Sequence, residues 1–426
     1  MDFKKDFCEK VYSAYHYYSI SDKNSNTFRL AQTFVDDIDR DILIHAIETT
    51  YERYPYLRVR RIRKHGAVYL VYNDRPIVVI ESNEPITIGG EEVNEHLIVF
   101  SYYGNKLYYN GFHGLCDGRG FCYFQHTFLY YYCKEKYGFD CNTEGIRLLG
   151  DEIKEEEYID PFPRKLPKNI KPLAKRRLFL DSFHLKDDKR LTRGERYSCI
   201  VTIDEKEFMK HCRLNDGSPI ALMAVIVARA VKRLNPDNKK PINAGIEMDL
   251  RSGFGAPQAH HSLTDFMSVN FSEKIAQLPF SLQNTALRGQ IFLRNDPETI
   301  RYNVRPFTIF YNVLGKLPSI AIKKFIYGIL VPMQFSANTF LLSYVGQSPF
   351  GELQKYITDQ FCDRDAPELG ISGEIINNNG KFMISFVFDF KEDIYLKAIC
   401  DELKEQGIEH TCTPLKPYKM TKCTPS

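Results

Sequence analysis

Apolar positions recur through residues 39–54, "DRDILIHAIETTYERY", at the i, i+3, i+4, i+7 spacing of a helix with one buried face: Leu43, Ala46, Ile47, Thr50, Tyr51 and Tyr54. Asp39 supplies an N-cap and Pro55 a stop. The pattern shortens to alternation on either side, predicting strands at "TFRLAQTFV" (27–35) and "LRVRRIR" (57–63). "HLIVFSYYGNKLYYNGF" (96–112) predicts a hairpin in which Gly104 and Asn105 supply the positive φ angles of a two-residue turn. "GFCYFQHTFLYYYCKEKYG" (120–138) returns to helical spacing, with Phe121, Phe124, Phe128 and Tyr132 on the buried face.

A second patterned half begins near residue 195. It reads as strand "RYSCIVTI" (196–203), helix "DEKEFMKHCRL" (204–214), buried helix "SPIALMAVIVARAVKRL" (218–234) and strand "PINAGIEMDL" (241–250). Ser218 and Pro219 suit the start of the buried helix. Near the end come a hairpin around "NNNG" (370–390) and an amphipathic helix, "EDIYLKAICDELKEQG" (392–407). Residues 150–180 carry an acidic run, four prolines and a basic run, the composition of a linker. The expected division is an N-terminal lobe (1–150), a linker (151–190) and a C-terminal lobe (191–426). Strands and helices alternate in both halves, which predicts an α/β (α+β) protein.

Composition narrows the partners. The 426 residues carry 57 Lys+Arg against 54 Asp+Glu, a net charge of +3, so neither nucleic acid nor an anionic surface is called for. "MDFKKDFCEK" has no apolar core of a secretory signal, and "FIYGILVPM" (325–333) is too short to span a bilayer. The 11 cysteines form no CxxC pair. They read as reduced thiols of a cytoplasmic protein, with no metal site of ordinary spacing.

One segment carries chemistry. "YYNGFHGLCDGRGF" (108–121) ends the hairpin's second strand and opens the helix, with His113 and Asp117 four residues apart among glycines. Gly111 and Gly114 allow close backbone approach, and Gly118 and Gly120 a sharp helix entry. An imidazole, with pKa normally about 6.5, exchanges protons near neutrality. Asp117 either orients His113 directly or holds the loop by pairing with an arginine elsewhere. His113 with Cys116 as base and nucleophile, and His113, Cys116 and Asp117 as metal ligands, are alternatives that the spacing leaves open. A second H-x-x-x-D, His261 and Asp265 in "AHHSLTDF", lacks the glycine, and no strand leads into it. His16, His45 and His126 read as satisfied polar residues.

"HGLCDG" resembles the HxxxDG signature of the superfamily of chloramphenicol acetyltransferase, peptide condensation domains, plant acyl-CoA-dependent acyltransferases and fungal alcohol acetyltransferases. "DRDILIHAIETTYERYPYLRVR", "GSPIALMAVIVARAVKRL", "IEMDLRSGFG", "SVNF" and "LLSYVGQSPFG" are similar to further family segments in the same order, over roughly residues 27–405. The similarity is nearest to bacterial members of alcohol-acetyltransferase type. It implies two chloramphenicol-acetyltransferase-like lobes, each a mixed sheet packed with helices, with an active-site tunnel between them.

By the same resemblance, an acyl group passes from an acyl-CoA co-substrate to an alcohol or amine without a covalent enzyme intermediate and without a tightly bound cofactor. His113 would be the general base. Asp117 would be structural, with Arg251 of "DLRSG" as its partner. Gly118 would permit close packing, and Ser343 of "LLSYVG" would donate to the oxyanion. The single histidine of "FHGLCDG", where many condensation domains have two, favours a stand-alone enzyme, and the plant group's "DFGWG" is absent. Two other functions share this fold: a condensation-like module taking thioesters from an acyl or peptidyl carrier protein, and a non-catalytic binding protein.

Overall fold

The computed structural model describes residues 2–12, 15–20, 25–176, 180–185, 196–348, 350–364, 369–390 and 392–424. Two sheets, each with its own core, form the two lobes. In the first, five strands run in the order Ile357–Arg364, Thr27–Phe34, Lys106–Phe112, Ile98–Tyr103, Val79–Glu81. Only the last pair is parallel. The helices Arg40–Arg53 and Gly118–Tyr137 cover this sheet, presenting the predicted stripes to the core. Fully burying each such aromatic side chain contributes roughly 1.5–3 kcal/mol.

The second sheet runs Thr264–Phe271, Ile242–Asp249, Phe340–Gln347, Ile371–Asn378, Lys381–Phe388, Arg196–Asp204, with two short C-terminal strands on the last. Phe340–Gln347 is parallel to both neighbours. Pro219–Leu234 lies beneath as a core helix, buried from Ile220 through Ala228. Among the described residues no single helix is long and apolar enough to cross a membrane.

Local chemistry follows the sequence closely, with differences. Asp39 caps its helix by accepting from the Asp41 and Ile42 amides. Asn379 and Gly380 both take positive φ (49° and 74°), as the Asn378–Lys381 turn requires. In the other hairpin only Gly104 does (56°); Asn105 instead donates its side-chain amide to the Phe34 carbonyl at 2.8 Å.

A larger difference concerns which stretches of chain build each sheet. Ile357–Arg364 belongs to the first sheet, paired with Thr27–Phe34, and Lys422–Cys423 pairs with Thr87–Ile88. Two strands from beyond residue 191 thus pair with strands of the first stretch, so the first sheet is completed from the second stretch of chain. Within 151–190, residues 177–179 and 186–190 lie outside the described residues. The earlier part is anchored: Glu157, buried, accepts from Arg53 (3.0 Å), Tyr56 (2.8 Å) and Arg147 (3.2 Å). Helices without a sequence-level prediction fill 280–335: Phe280–Arg294, Pro297–Gly315 with Pro306 inside, and Ile320–Phe335 with Pro332 inside.

Candidate active site

Lys106–Phe112 lies between two partners in the first sheet, so its end is a fixed platform. Gly111 faces the Phe28 ring so closely that a Cβ there would sit 2.2 Å from Phe28 Cζ. His113 follows, its amide donating to the Asn26 carbonyl at 2.7 Å. The side chain is buried, edge-on to Phe28 (centroids 6.2 Å apart) and stacked on the His16 ring (5.0 Å). Nδ1 of His113 is hydrogen-bonded to Ser262 Oγ (3.1 Å), which also lies 3.3 Å from His16 Nε2. His16 Nδ1 in turn meets Asn26 Oδ1 at 3.3 Å. A chain of polar groups thus runs from His113 through Ser262 to His16 and back to the residue that holds the His113 amide.

Asp117 makes no hydrogen bond to His113 among the described residues. It caps the Gly118–Tyr137 helix, accepting from the Gly120 amide at 2.8 Å, and takes a further amide from Leu263 at 2.9 Å. Arg251 reaches both its oxygens, Nη1 to Oδ2 and Nη2 to Oδ1, at 2.8 Å each. Burial alone would raise the Asp117 pKa; the guanidinium and the amide donors outweigh it and hold the carboxyl below its ordinary range. Arg251 also donates to the carbonyls of Ala259 (2.9 Å) and His261 (2.9 Å) and to Asp249 (3.1 Å). The motif aspartate therefore bolts its helix to the 259–263 loop, the loop that brings Ser262 to His113.

Cys116 is packed in the first core, where burial pushes its thiol well above its ordinary pKa, with Asp117 adding to the effect and Arg251 opposing it. It is not poised as a thiolate nucleophile. Close packing falls on Gly111 and Gly114, where close backbone approach was expected, and also on Gly120. A Cβ on Gly120 would lie 2.0 Å from the His260 carbonyl oxygen and one on Gly114 2.5 Å from Phe112. At Gly118 the nearest atom is Val345 Cγ1 at 3.4 Å, an ordinary contact.

That contact marks where the second lobe reaches the motif. Val345 lies at a β-bulge in Phe340–Gln347, between Tyr344 paired with Ile375 and Gly346 paired with Ile376. It is 46% exposed beside the start of the motif helix. Bulges commonly re-aim a strand next to a functional site. Ser343, two residues earlier, is buried.

His261 and Asp265 do not meet. His261 Nε2 is 2.8 Å from Glu9 Oε1. Asp265, in the strand Thr264–Phe271, pairs with Arg176 and accepts from Gln334. Sequence reasoning missed His16 and Ser262. Ser262 sat inside the quoted "AHHSLTDF" with no signal of its own, and His16 lies in a Tyr-rich segment that gives none.

No protein-family model and no curated protein matches the sequence. Solved structures do. TRI101 of F. sporotrichioides, complexed with coenzyme A and T-2, superposes with a TM-score of 0.62 at 11% identity, covering 96% of this chain and 100% of that one. TRI101 of F. graminearum, complexed with coenzyme A and deoxynivalenol, gives 0.58 at 14% identity over 95% and 99%. The epimerization domain from the third module of tyrocidine synthetase B gives 0.57 at 12% identity over 92% and 93%. At such identities the likeness is one of architecture, and it extends over nearly the whole of each chain: the protein has the two-lobed α/β fold of TRI101 and of the epimerization and condensation domains.

Proposed function

We propose that the protein transfers an acyl group from a coenzyme A thioester to an alcohol or amine, with His113 as general base. The observation that carries this reading is the placement of His113. A buried imidazole stands at the end of a central strand, its Nδ1 held by Ser262, where the bulged strand of the other lobe meets the motif helix. The coenzyme A complexes of structural neighbours with the same architecture support the donor.

With Nδ1–H donating to Ser262 Oγ, His113 Nε2 takes the acceptor's proton as its oxygen or nitrogen attacks the thioester carbonyl. The tetrahedral intermediate collapses, the C–S bond breaks, and the proton passes to the departing thiolate. The products are the acylated acceptor and free coenzyme A, with no acyl-enzyme. A positioned base contributes roughly 10²–10⁴-fold, and holding both substrates together adds the proximity advantage. Ser343, on the crossing strand, is the assigned oxyanion donor. Asp117 and Arg251 keep the loop in place.

The test is release of free thiol from acyl-CoAs, acetyl to long-chain, with pooled alcohols and amines. Acceptor-dependent release by wild type and its loss in His113→Ala is expected; undiminished release by His113→Ala would remove the base. A second reading, a carrier-bound donor, is favoured by the likeness to an epimerization domain and to condensation domains. Phosphopantetheinyl-carrier thioesters run beside the coenzyme A series decide between them.

A further inference from the structure

Behind the His113 loop lies a group of side chains that the proposed reaction does not use. Glu9, His260 and His261 each offer a ligand atom within 4.8 Å of the other two. Glu9 comes from the strand Cys8–Lys10, and the histidines are neighbours in the loop before Thr264–Phe271, with ring centroids 4.0 Å apart. Both histidines are more than nine-tenths buried. Each of the three residues carries a buried polar atom with no hydrogen-bond partner among the described residues: Glu9 Oε2, His260 Nε2 and His261 Nδ1. Buried polar atoms are almost always paired, so the orphaned His260 Nε2 and Glu9 Oε2 indicate a missing partner, one that His261 would join through Nε2, the nitrogen it turns toward Glu9.

The surroundings identify the partner's chemistry. His260 Nδ1 is 2.8 Å from the Glu157 carbonyl, which fixes the proton on Nδ1 and leaves Nε2 with a lone pair. That arrangement, one ring nitrogen on a carbonyl and the other unpartnered, is the one metal-ligating histidines adopt. Asp160, also buried, donates its amide to Glu9 Oε1 (3.1 Å), while its carboxylate accepts from the Tyr12 and Phe162 amides. Two carboxyl groups thus lie beside the two imidazoles. Two imidazole nitrogens and one carboxylate oxygen suit zinc and similar first-row ions better than calcium or magnesium.

We propose that Glu9, His260 and His261 bind one zinc-class divalent cation, which staples the N-terminal segment to the loop behind His113. The staple is structural. The His260 carbonyl packs on Gly120, the His261 carbonyl accepts from Arg251, and Ser262 is the next residue. Fixing 260–261 therefore fixes the hydroxyl that holds the imidazole. The ion completes a set of ligands that the expectation of no metal site, drawn from cysteine spacing, did not consider.

The experiment uses the full chain, freed of any affinity tag. Metal analysis of wild type is expected to find about one equivalent of a zinc-class ion. Chelation followed by dialysis is expected to lower Tm, and added Zn²⁺ or Co²⁺, but not Mg²⁺, to restore it. Glu9→Gln and His260→Gln are expected to lose the ion, while His45→Ala, at an exposed histidine, keeps it. Zinc X-ray absorption on wild type, which needs no variant to fold, is expected to show nitrogen and oxygen neighbours only. A sulfur shell would assign the ion to some of the 11 cysteines and overturn the site. So would a metal-free wild type whose Tm does not respond to zinc, leaving Glu9 and His261 as a plain ion pair.

Discussion

Asp117 and Arg251, 134 residues apart in sequence, form a two-point ion pair with both side chains only 2% exposed. The carboxylate belongs to the first lobe's helix cap and the guanidinium to the short helix Arg251–Phe254 of the second lobe. Removing one partner strands the other charge in a dry site, which typically costs about 3–5 kcal/mol. Asp117→Asn and Arg251→Met are each expected to lower stability on this scale, read by urea unfolding. A loss below about 1 kcal/mol in both would show that the pair holds nothing together.

The same pair gives acid sensitivity with a defined sign. Asp117 has a folded-state pKa below its unfolded value of about 3.9, so its contribution is complete above that value and fades as pH falls through the lower, folded pKa. The groups facing it are Arg251, which stays charged, Cys116, which burial keeps as a thiol, and Asp249 beyond Arg251. The stability gap between wild type and Asp117→Asn is expected to be constant from pH 7 to pH 5 and to narrow below pH 4. A gap that widens on acidification would reverse the assignment.

Ser262 acts on the reaction through His113. Ser262→Ala removes a hydrogen bond of ordinary worth, about 0.5–1.5 kcal/mol, so kcat is expected to fall up to about tenfold with KM and Tm nearly unchanged. Ser262→Thr is expected to recover most of the loss. An equal fall in Tm would make the residue merely structural.

Gly118 and Gly120 separate close packing from simple helix entry. Gly120→Ala drives a methyl into the His260 carbonyl and is expected to cost at least 1–3 kcal/mol, the usual penalty of overpacking. Gly118→Ala meets only Val345 at contact distance and is expected to fold with near-wild-type Tm. Thermal melts of the two variants side by side decide it.

Ser343 is tested by Ser343→Ala. Loss of an oxyanion donor typically lowers kcat by about 10²–10³-fold. A similar fall in thiol release with Tm unchanged is expected, and unchanged release would strike the hydroxyl from the mechanism.

Much of the architecture is legible because it is local. The helix of residues 40–53, the hairpin at Asn379-Gly380 and the buried helix 219–234 each carry periodicity and a punctuating residue in the sequence itself. Helices 297–315 and 320–335 lack that clarity, since Pro306 and Pro332 sit inside them and break the pattern a reader relies on. His113 and Asp117 stand out by their glycine setting, and Arg251 became a candidate partner only through the family likeness. His16, Ser262 and Glu9 were silent for a physical reason: what they touch lies far along the chain, 246 residues for Ser262 with His16 and 252 for His261 with Glu9. No window of sequence contains both ends of such a contact.

The strand Ile357–Arg364 carries a consequence for how the molecule comes into being. It lies on the outer side of Thr27–Phe34, and Gln32 meets Gln360 across 328 residues. At roughly 5–20 residues per second, a ribosome needs about 16–65 s to deliver the second after the first. Throughout that interval the nascent first sheet presents a bare edge, flanked by the aromatic surface of its own core, to whatever passes. The lobe that bears the motif cannot mature ahead of the other. It waits, open-sided, for nearly the whole chain to emerge, which predicts dependence on ribosome-associated chaperones and failure of a free-standing 1–190 fragment.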